Sequence, residues 1–198
     1  MCKNEGYTIF ITSFFLLHSP KFFIIQPMDT FTFSKLSYGV YVVASGNKAQ
    51  QNAFIATTVM QITSEPAQIM VACNKNNFTA QFIRETKTFS ASVLKQSYKP
   101  TTLGTFGFRS GKDYNKFEHC NDFIFGANTQ TPIVLEDCLA WFECKLTNEI
   151  DVGTHILFVG EVLDAQIIAA DETPLTYSYY HEMKKGITPK NAPSYIKK

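Results

Sequence analysis

The chain has 198 residues, 45% of them apolar and 18% charged, with 18 phenylalanines and 9 tyrosines. That is enough for one domain with a sizeable core, and the aromatic-rich mix suits β-structure better than a helical bundle. The formal net charge of +1 gives no reason to expect nucleic acid or another polyanionic partner.

Residues 1–27, MCKNEGYTIFITSFFLLHSPKFFIIQP, differ in character from the rest of the chain. The apolar stretch from Tyr7 to Leu17 is too short to span a bilayer comfortably, and no small-x-small cleavage pattern comes after it. Three readings fit: an extension upstream of a working start at Met28, a membrane-targeting segment, or an apolar arm packed on the domain. The first is favoured. It divides the chain into a non-domain extension, 1–27, and one domain, 28–198, with no membrane role. The five cysteines, Cys2, Cys73, Cys120, Cys138 and Cys144, form no CxxC pair. They read as reduced, mostly buried thiols in a cytoplasmic protein.

Ser37 to Ser45, SYGVYVVAS, is β-branched and aromatic and reads as a strand. Gly46-Asn47 marks a turn. Phe54, Ala56, Thr58, Met60 and Ile62 then share one parity, which predicts a single alternating strand ended by Glu65-Pro66. Gln68 to Cys73 is a short buried strand. The polar cluster Asn74-Lys75-Asn76-Asn77 leads into a helix over 78–87, with Asn76 or Asn77 as its N-cap. Phe89 to Leu94 alternates as another strand. Residues 95–136, with Pro100, Gly104, Gly107 and Gly111, predict a short helix and surface loops. Cys138 to Leu146 is a strand, Asp151-Val152-Gly153 a hairpin turn, and His155 to Ile168 a long strand bent near Gly160. The tail from Tyr179 on reads as irregular and exposed, or laid on a partner. Many strands and one clear helix predict a mainly antiparallel barrel.

No GxGxxG comes after a strand, and GxxxxGK[ST], HExxH and GxSxG are absent. What remains is the strand–turn–helix from Gln68 to Lys87. A helix N-terminus offers unpaired N–H groups and partial positive charge. Beside it Lys75 adds a full charge, while Asn76, Asn77 and Thr79 add neutral donors, a set suited to a terminal phosphate. A capped surface helix with a solvated lysine is the plain alternative, and on pattern alone the stronger one.

The run of residues 36–94, LSYGVYVVASGNKAQQNAFIATTVMQITSEPAQIMVACNKNNFTAQFIRETKTFSASVL, resembles the core of the flavin reductase-like, FMN-binding split-barrel family, its flavoredoxin branch in particular. Within it AFIATTV matches the family's second-strand patch and CNKNNFTAQFI its strand–loop–helix. Residues 139–162, LAWFECKLTNEIDVGTHILFVGEV, match a later family segment, and KKGITPKNAPSYI at 184–196 is also flavoredoxin-like. Thr58 stands where many relatives carry asparagine or serine, and Thr154 replaces the aspartate that usually precedes the histidine.

The resemblance implies a Greek-key, antiparallel split β-barrel with a few short helices, binding FMN non-covalently as a homodimer. It implies that the flavin lies against Asn52, Ala53, Phe54, Ile55, Ala56, Thr57 and Thr58, with Asn52 and Thr57 as the principal side chains. Asn74, Lys75, Asn77 and Thr79 would hold the phosphate, with Cys73 a packed thiol nearby. His155 would face the flavin or a nicotinamide. Tyr38, Phe89 and Ser92 would line the pocket, and Lys185, Gly186 and Tyr195 would close over it. For each, packing or exposure is the plain alternative. The resemblance is compatible with two functions: an NAD(P)H-dependent oxidoreductase delivering electrons to free flavin or another acceptor, or a non-enzymatic FMN carrier between redox protein partners.

Overall fold

The computed structural model describes residues 28–187 and Pro193. The readings placed on residues 1–27 and on Tyr195 lie outside the described residues. The elements are β1 (Tyr41–Gly46), β2 (Gln51–Ala56), β3 (Val59–Ser64), β4 (Ala67–Asn74), α1 (Thr79–Thr86), β5 (Thr88–Leu94), α2 (Pro100–Phe108), β6 (Phe123–Phe125), β7 (Pro132–Val134), β8 (Cys138–Asp151), β9 (His155–Ile167) and α3 (Tyr177–Glu182).

Seven antiparallel strands form one sheet in the order β2-β1-β5-β8-β9-β4-β3. Its edge strands, β2 and β3, are consecutive in the chain, with only Thr57 and Thr58 between them. Three residue steps reach at most about 11 Å. A flat sheet of this width, at ~4.8 Å per strand, would hold its edges roughly 29 Å apart. The sheet therefore curls until its edges approach; the Ala72 N–H bond to the Thr58 carbonyl, 3.0 Å, continues the β3–β4 ladder to the residue before β3. No ladder joins β2 to β3 or β4, so the barrel stays split along that seam.

This geometry corrects the expectation of one strand through Phe54–Ile62. The chain breaks at Thr57-Thr58, and the two halves occupy opposite edges of the sheet. Phe54 and Ala56 enter the barrel core, whereas Met60 and Ile62 on β3 are exposed. The bend reverses which parity faces inward, Phe54 and Ala56 before it and Val59 after it, while the apolar side chains keep one parity along the sequence, so the alternation carried no sign of it.

Both faces of β1 are buried. Val43 points into the barrel with Phe54, Val71, Ile83, Phe89 and Phe158, while Val42 and Ala44 face a second core containing Leu103, Phe106, Phe117 and Leu175. Burial on two sides is why this strand reads as a continuous apolar run. Each fully buried phenylalanine contributes about 1.5–3 kcal/mol relative to exposure. Gly160 makes room for one of them: a Cβ there would lie 2.5 Å from Phe89 Cε1. Register irregularities fall on both sides of the expected place near Gly160: β8 carries an extra residue, Thr147, between Leu146 and Asn148, and β9 carries one, Leu163, between Val162 and Asp164.

Residues 95–136 carry more structure than loops. They hold α2, a 3-10 turn at Lys116–His119 and the β6–β7 hairpin. The hairpin is anchored by Glu143, whose fully buried carboxylate accepts from Thr129 N and Thr129 Oγ1, both at 2.6 Å, and from Asn128 N at 3.1 Å and Asn128 Nδ2 at 3.0 Å. The tail is likewise more regular than expected. It enters α3, whose N-cap Thr176 accepts from the Tyr179 N–H at 3.2 Å.

Candidate functional site

The split in the barrel opens into a cavity of about 280 Å³, near the lower end of the ~300–1,000 Å³ range of small-molecule sites. One wall is the end of β2, with Asn52, Phe54, Ile55, Ala56 and Thr57. A second is the end of β4 and the turn before α1, with Ala72, Asn74, Asn76, Asn77 and Phe78. A third comes from the C-terminal end of α2 and the loop after it, with Phe106, Arg109, Ser110 and Gly111, and Lys116 below them. Tyr177 and Tyr180 of α3 join Ile187 and Pro193 at the rim.

The turn before α1 is organised by its asparagines. The Asn74 side chain accepts from the Asn76 N–H at 2.9 Å, and Asn77 Oδ1 accepts from the Thr79 N–H at 2.9 Å. Asn77 thus performs the expected capping, although the helix formally starts after Phe78. Asn52, 3% exposed, donates from Nδ2 to Thr79 Oγ1 at 3.1 Å. A Cβ on Gly111 would overlap the Asn52 amide, so glycine there lets the loop after α2 lie directly on that amide. Asn52 therefore ties three elements together: β2, the first turn of α1 and the loop through Gly111.

The lining is selective in charge. Arg109 and Lys116 contribute cations, and no aspartate or glutamate belongs to it among the described residues. Arg109 is exposed and stacks over Tyr114, 5.2 Å from the ring centroid. Lys116 is 4% exposed and donates from Nζ to the Ala53 carbonyl at 2.7 Å and the Phe106 carbonyl at 3.0 Å. Burial pushes its ammonium down to about 8. The mix of apolar walls, amide donors and unopposed cations suits an aromatic ligand bearing an anion.

Seven of the expected residues line this cavity: Asn52, Phe54, Ile55, Ala56, Thr57, Asn74 and Asn77. Ala53 and Thr79 stand just behind it, as the acceptors for Lys116 and Asn52. Thr58 sits at the seam, its hydroxyl buried without a partner among the described residues. Cys73 alternates the other way on β4, into the barrel core, where burial pushes its thiol up to about 12. Ser92 does not reach the cavity either. It lies on β5 opposite Val42 and Trp141, its hydroxyl buried, and Phe89 fills the barrel. Lys75 turns outward, its ammonium 2.6 Å from Asp151. His155 pairs with Asn74 across the β4–β9 ladder, and its Nδ1 lies 2.9 Å from Thr154 Oγ1. Lys185 has a left-handed backbone, φ +54°, and is outside the lining, while Gly186 packs on the Tyr180 ring. Tyr38 meets Tyr177 edge-on at 6.0 Å.

Sequence reading missed Arg109, Ser110, Lys116, Tyr177 and Tyr180. An RSGK run after a helix was the available signal for the first two. Nothing local marked Lys116, whose burial depends on Ala53, 63 residues away.

A split antiparallel barrel with a cation-lined cavity at its seam defines a flavin reductase-like protein. The description "Flavin reductase like domain" matches residues 33–186, and the chain belongs to that family. It is 42% identical over 169 residues to the ferric-chelate reductase (NAD(P)H) of Archaeoglobus fulgidus, covering 85% of this chain and 98% of that protein. It is 39% identical over 168 residues to a high molecular weight rubredoxin of Moorella thermoacetica, covering 85% of this chain and 72% of that protein. Two solved structures share the fold. Flavoredoxin from Methanosarcina acetivorans has a TM-score of 0.61 at 20% identity, covering 71% of this chain and 84% of that one. The NADH:FAD oxidoreductase of Streptomyces globisporus C-1027 with NAD and FAD fragments has a TM-score of 0.65 at 21% identity, covering 73% and 83%.

Proposed function

We propose that the seam cavity binds FMN non-covalently and that the protein uses it to pass on electrons taken from NAD(P)H. The observation that carries this reading is the cavity itself: apolar and amide-lined walls with Arg109 and Lys116 as its charges and, among the described residues, no carboxylate opposing them. When bound, FMN supplies the two-electron chemistry. The chain does the rest. Phe54, Ile55, Ala56 and Phe106 exclude water from the ring's surroundings. Asn52 and Thr57 orient the polar edge of the ring. The asparagine turn at Asn74–Asn77, with its helix N-terminus, seats the phosphate, and Arg109 closes over it. The Asn52–Thr79 bond and the contact of Asn52 with Gly111 bring the Arg109 loop beside that turn. His155, next to Asn74 in the ladder, positions the nicotinamide at the cavity rim.

The alternative is a carrier that exchanges electrons with protein partners and has no nicotinamide site; the relative named a rubredoxin favours it. In either case the protein works as a cytoplasmic homodimer. Exposed Met60, Ile62, Ile150, Leu163 and Ile167 offer apolar surface for a second copy. The buried free thiols Cys73, Cys120, Cys138 and Cys144 suit a reducing compartment. Among the described residues no helix is long and apolar enough to cross a membrane.

The test is a visible spectrum of the purified protein and mass analysis of its released pigment, then anaerobic mixing with NADH or NADPH. A flavin spectrum bleached within minutes supports the enzyme. A spectrum bleached by dithionite alone leaves the carrier. A preparation that stays colourless when saturated with FMN refutes both.

A further inference from the structure

Lys116 is an unusual cation. It stands in the 3-10 turn after α2, 4% exposed, within a cluster formed by Ala53, Leu103, Phe106 and Phe117. Among the described residues no carboxylate lies within ion-pair distance of it. Its ammonium has three hydrogens, and the two carbonyls it meets, Ala53 and Phe106, engage two of them. A buried ammonium without a counter-ion is costly, and this one borders the cavity. Arg109, by contrast, is exposed and screened by solvent.

We propose that Lys116 is the fixed charge that sets the redox balance of the bound flavin, its ammonium stabilising the negative charge that reduction leaves on the ring. The proposal rests on the FMN reading. In the reduction NAD(P)H is oxidised to NAD(P)+, and its hydride carries two electrons and one proton to the ring, which gains one net negative charge. In surroundings of low effective dielectric a nearby ammonium favours that charged form over the neutral oxidised one. The two carbonyl bonds keep Nζ in place, so the charge is preorganised rather than recruited. Ala53 belongs to the strand whose next residues line the cavity, so the lysine also braces the wall on which the ring rests.

The test compares Lys116→Gln, which keeps donors for the carbonyls but removes the charge, with Lys116→Met, which removes both. Affinity for FMN is measured in the oxidised state and, under dithionite, in the reduced state. The expected result for Lys116→Gln is oxidised affinity within roughly threefold of wild type and reduced affinity lowered at least tenfold, equivalent to a midpoint about 30 mV lower for a two-electron couple. A reduced-to-oxidised affinity ratio within twofold of wild type in both variants overturns the proposal while leaving the FMN reading standing. Wild-type protein that binds no FMN overturns both.

A second measurement needs no variant. Other titratable groups near Lys116 are Glu118 and His119 on its own turn, Arg109 after α2, and Tyr177 and Tyr180 from α3; β2 contributes none. For a tenfold redox preference and an ammonium that titrates near 8, linkage makes the wild-type ratio fall roughly fivefold from pH 7 to pH 9. A ratio that fails to fall between pH 7 and about pH 10.5, an interval that also takes in the ordinary lysine range, overturns the proposal even where both variants fail to fold.

Discussion

Replacing Arg109 and Lys75 separately by alanine locates the phosphate seat. Sequence alone points to Lys75 as the phosphate cation. In the structure its ammonium is 2.6 Å from Asp151, with 39% of the Lys75 side chain and 66% of the Asp151 side chain exposed, so its charge is already opposed and screened. Asp151 responds as the partner: the Lys75 hydrogen bond holds its carboxyl below the usual value. An exposed, solvent-screened pair of this kind leaves Lys75 little charge to offer a ligand, so Lys75→Ala should weaken FMN by at most about fivefold. Arg109 faces the cavity, where no carboxylate among the described residues opposes it. A charge-assisted bond to phosphate contributes about 1.5–3 kcal/mol, and solvent exposure favours the low end, so Arg109→Ala should weaken FMN about tenfold. Riboflavin lacks the phosphate and should lose less than twofold in either variant. Quenching of flavin fluorescence on titration, at low and high salt, measures all four affinities, and the Arg109 effect should shrink as salt rises. Equal losses for FMN and riboflavin, or a larger loss at Lys75 than at Arg109, would refute the assignment.

Three further outcomes are expected. Glu143→Gln turns a buried acceptor that receives Thr129 N, Thr129 Oγ1 and Asn128 Nδ2 into a donor facing donors. It should cost about 3–5 kcal/mol and lower Tm by roughly 6–20 °C in a thermal melt; a shift under about 3 °C argues against the network. Gly160→Ala drives a methyl into the Phe89 ring and should destabilise by about 1–3 kcal/mol, read from urea midpoints, with unchanged stability counting against the packing described. His155→Ala should raise KM for NAD(P)H several-fold while oxidised FMN binds as before; a matching loss of FMN affinity would place His155 on the flavin instead.

The strand content, the helix after the asparagine cluster and the split-barrel class were legible in the sequence, because each rests on short-range signals. Apolar–polar alternation marks a strand, as along Cys138–Leu146. An asparagine at a helix start marks a cap, as Asn77 does for Thr79. The ordered motifs through CNKNNFTAQFI carried the family. From those elements came the segments that line the cavity on two sides, Asn52–Thr57 and Asn74–Asn77.

Tertiary structure alone decided how those segments become a site. The apolar alternation runs unbroken through the bend at Thr57-Thr58, so only closure of the sheet revealed that β2 and β3 are opposite edges. Cys73 and Asn74 are neighbours in sequence, yet one faces the barrel core and the other the cavity. Which face becomes the cavity depends on where the seam falls. Lys75 turned to Asp151 because the β8–β9 hairpin brings that carboxylate alongside. Lys116 became a buried cation only because α2 and β2 present carbonyls to it from 10 and 63 residues away. Local pattern records what each residue prefers; charge balance and burial are properties of distant segments brought together, and no window of the sequence contains them.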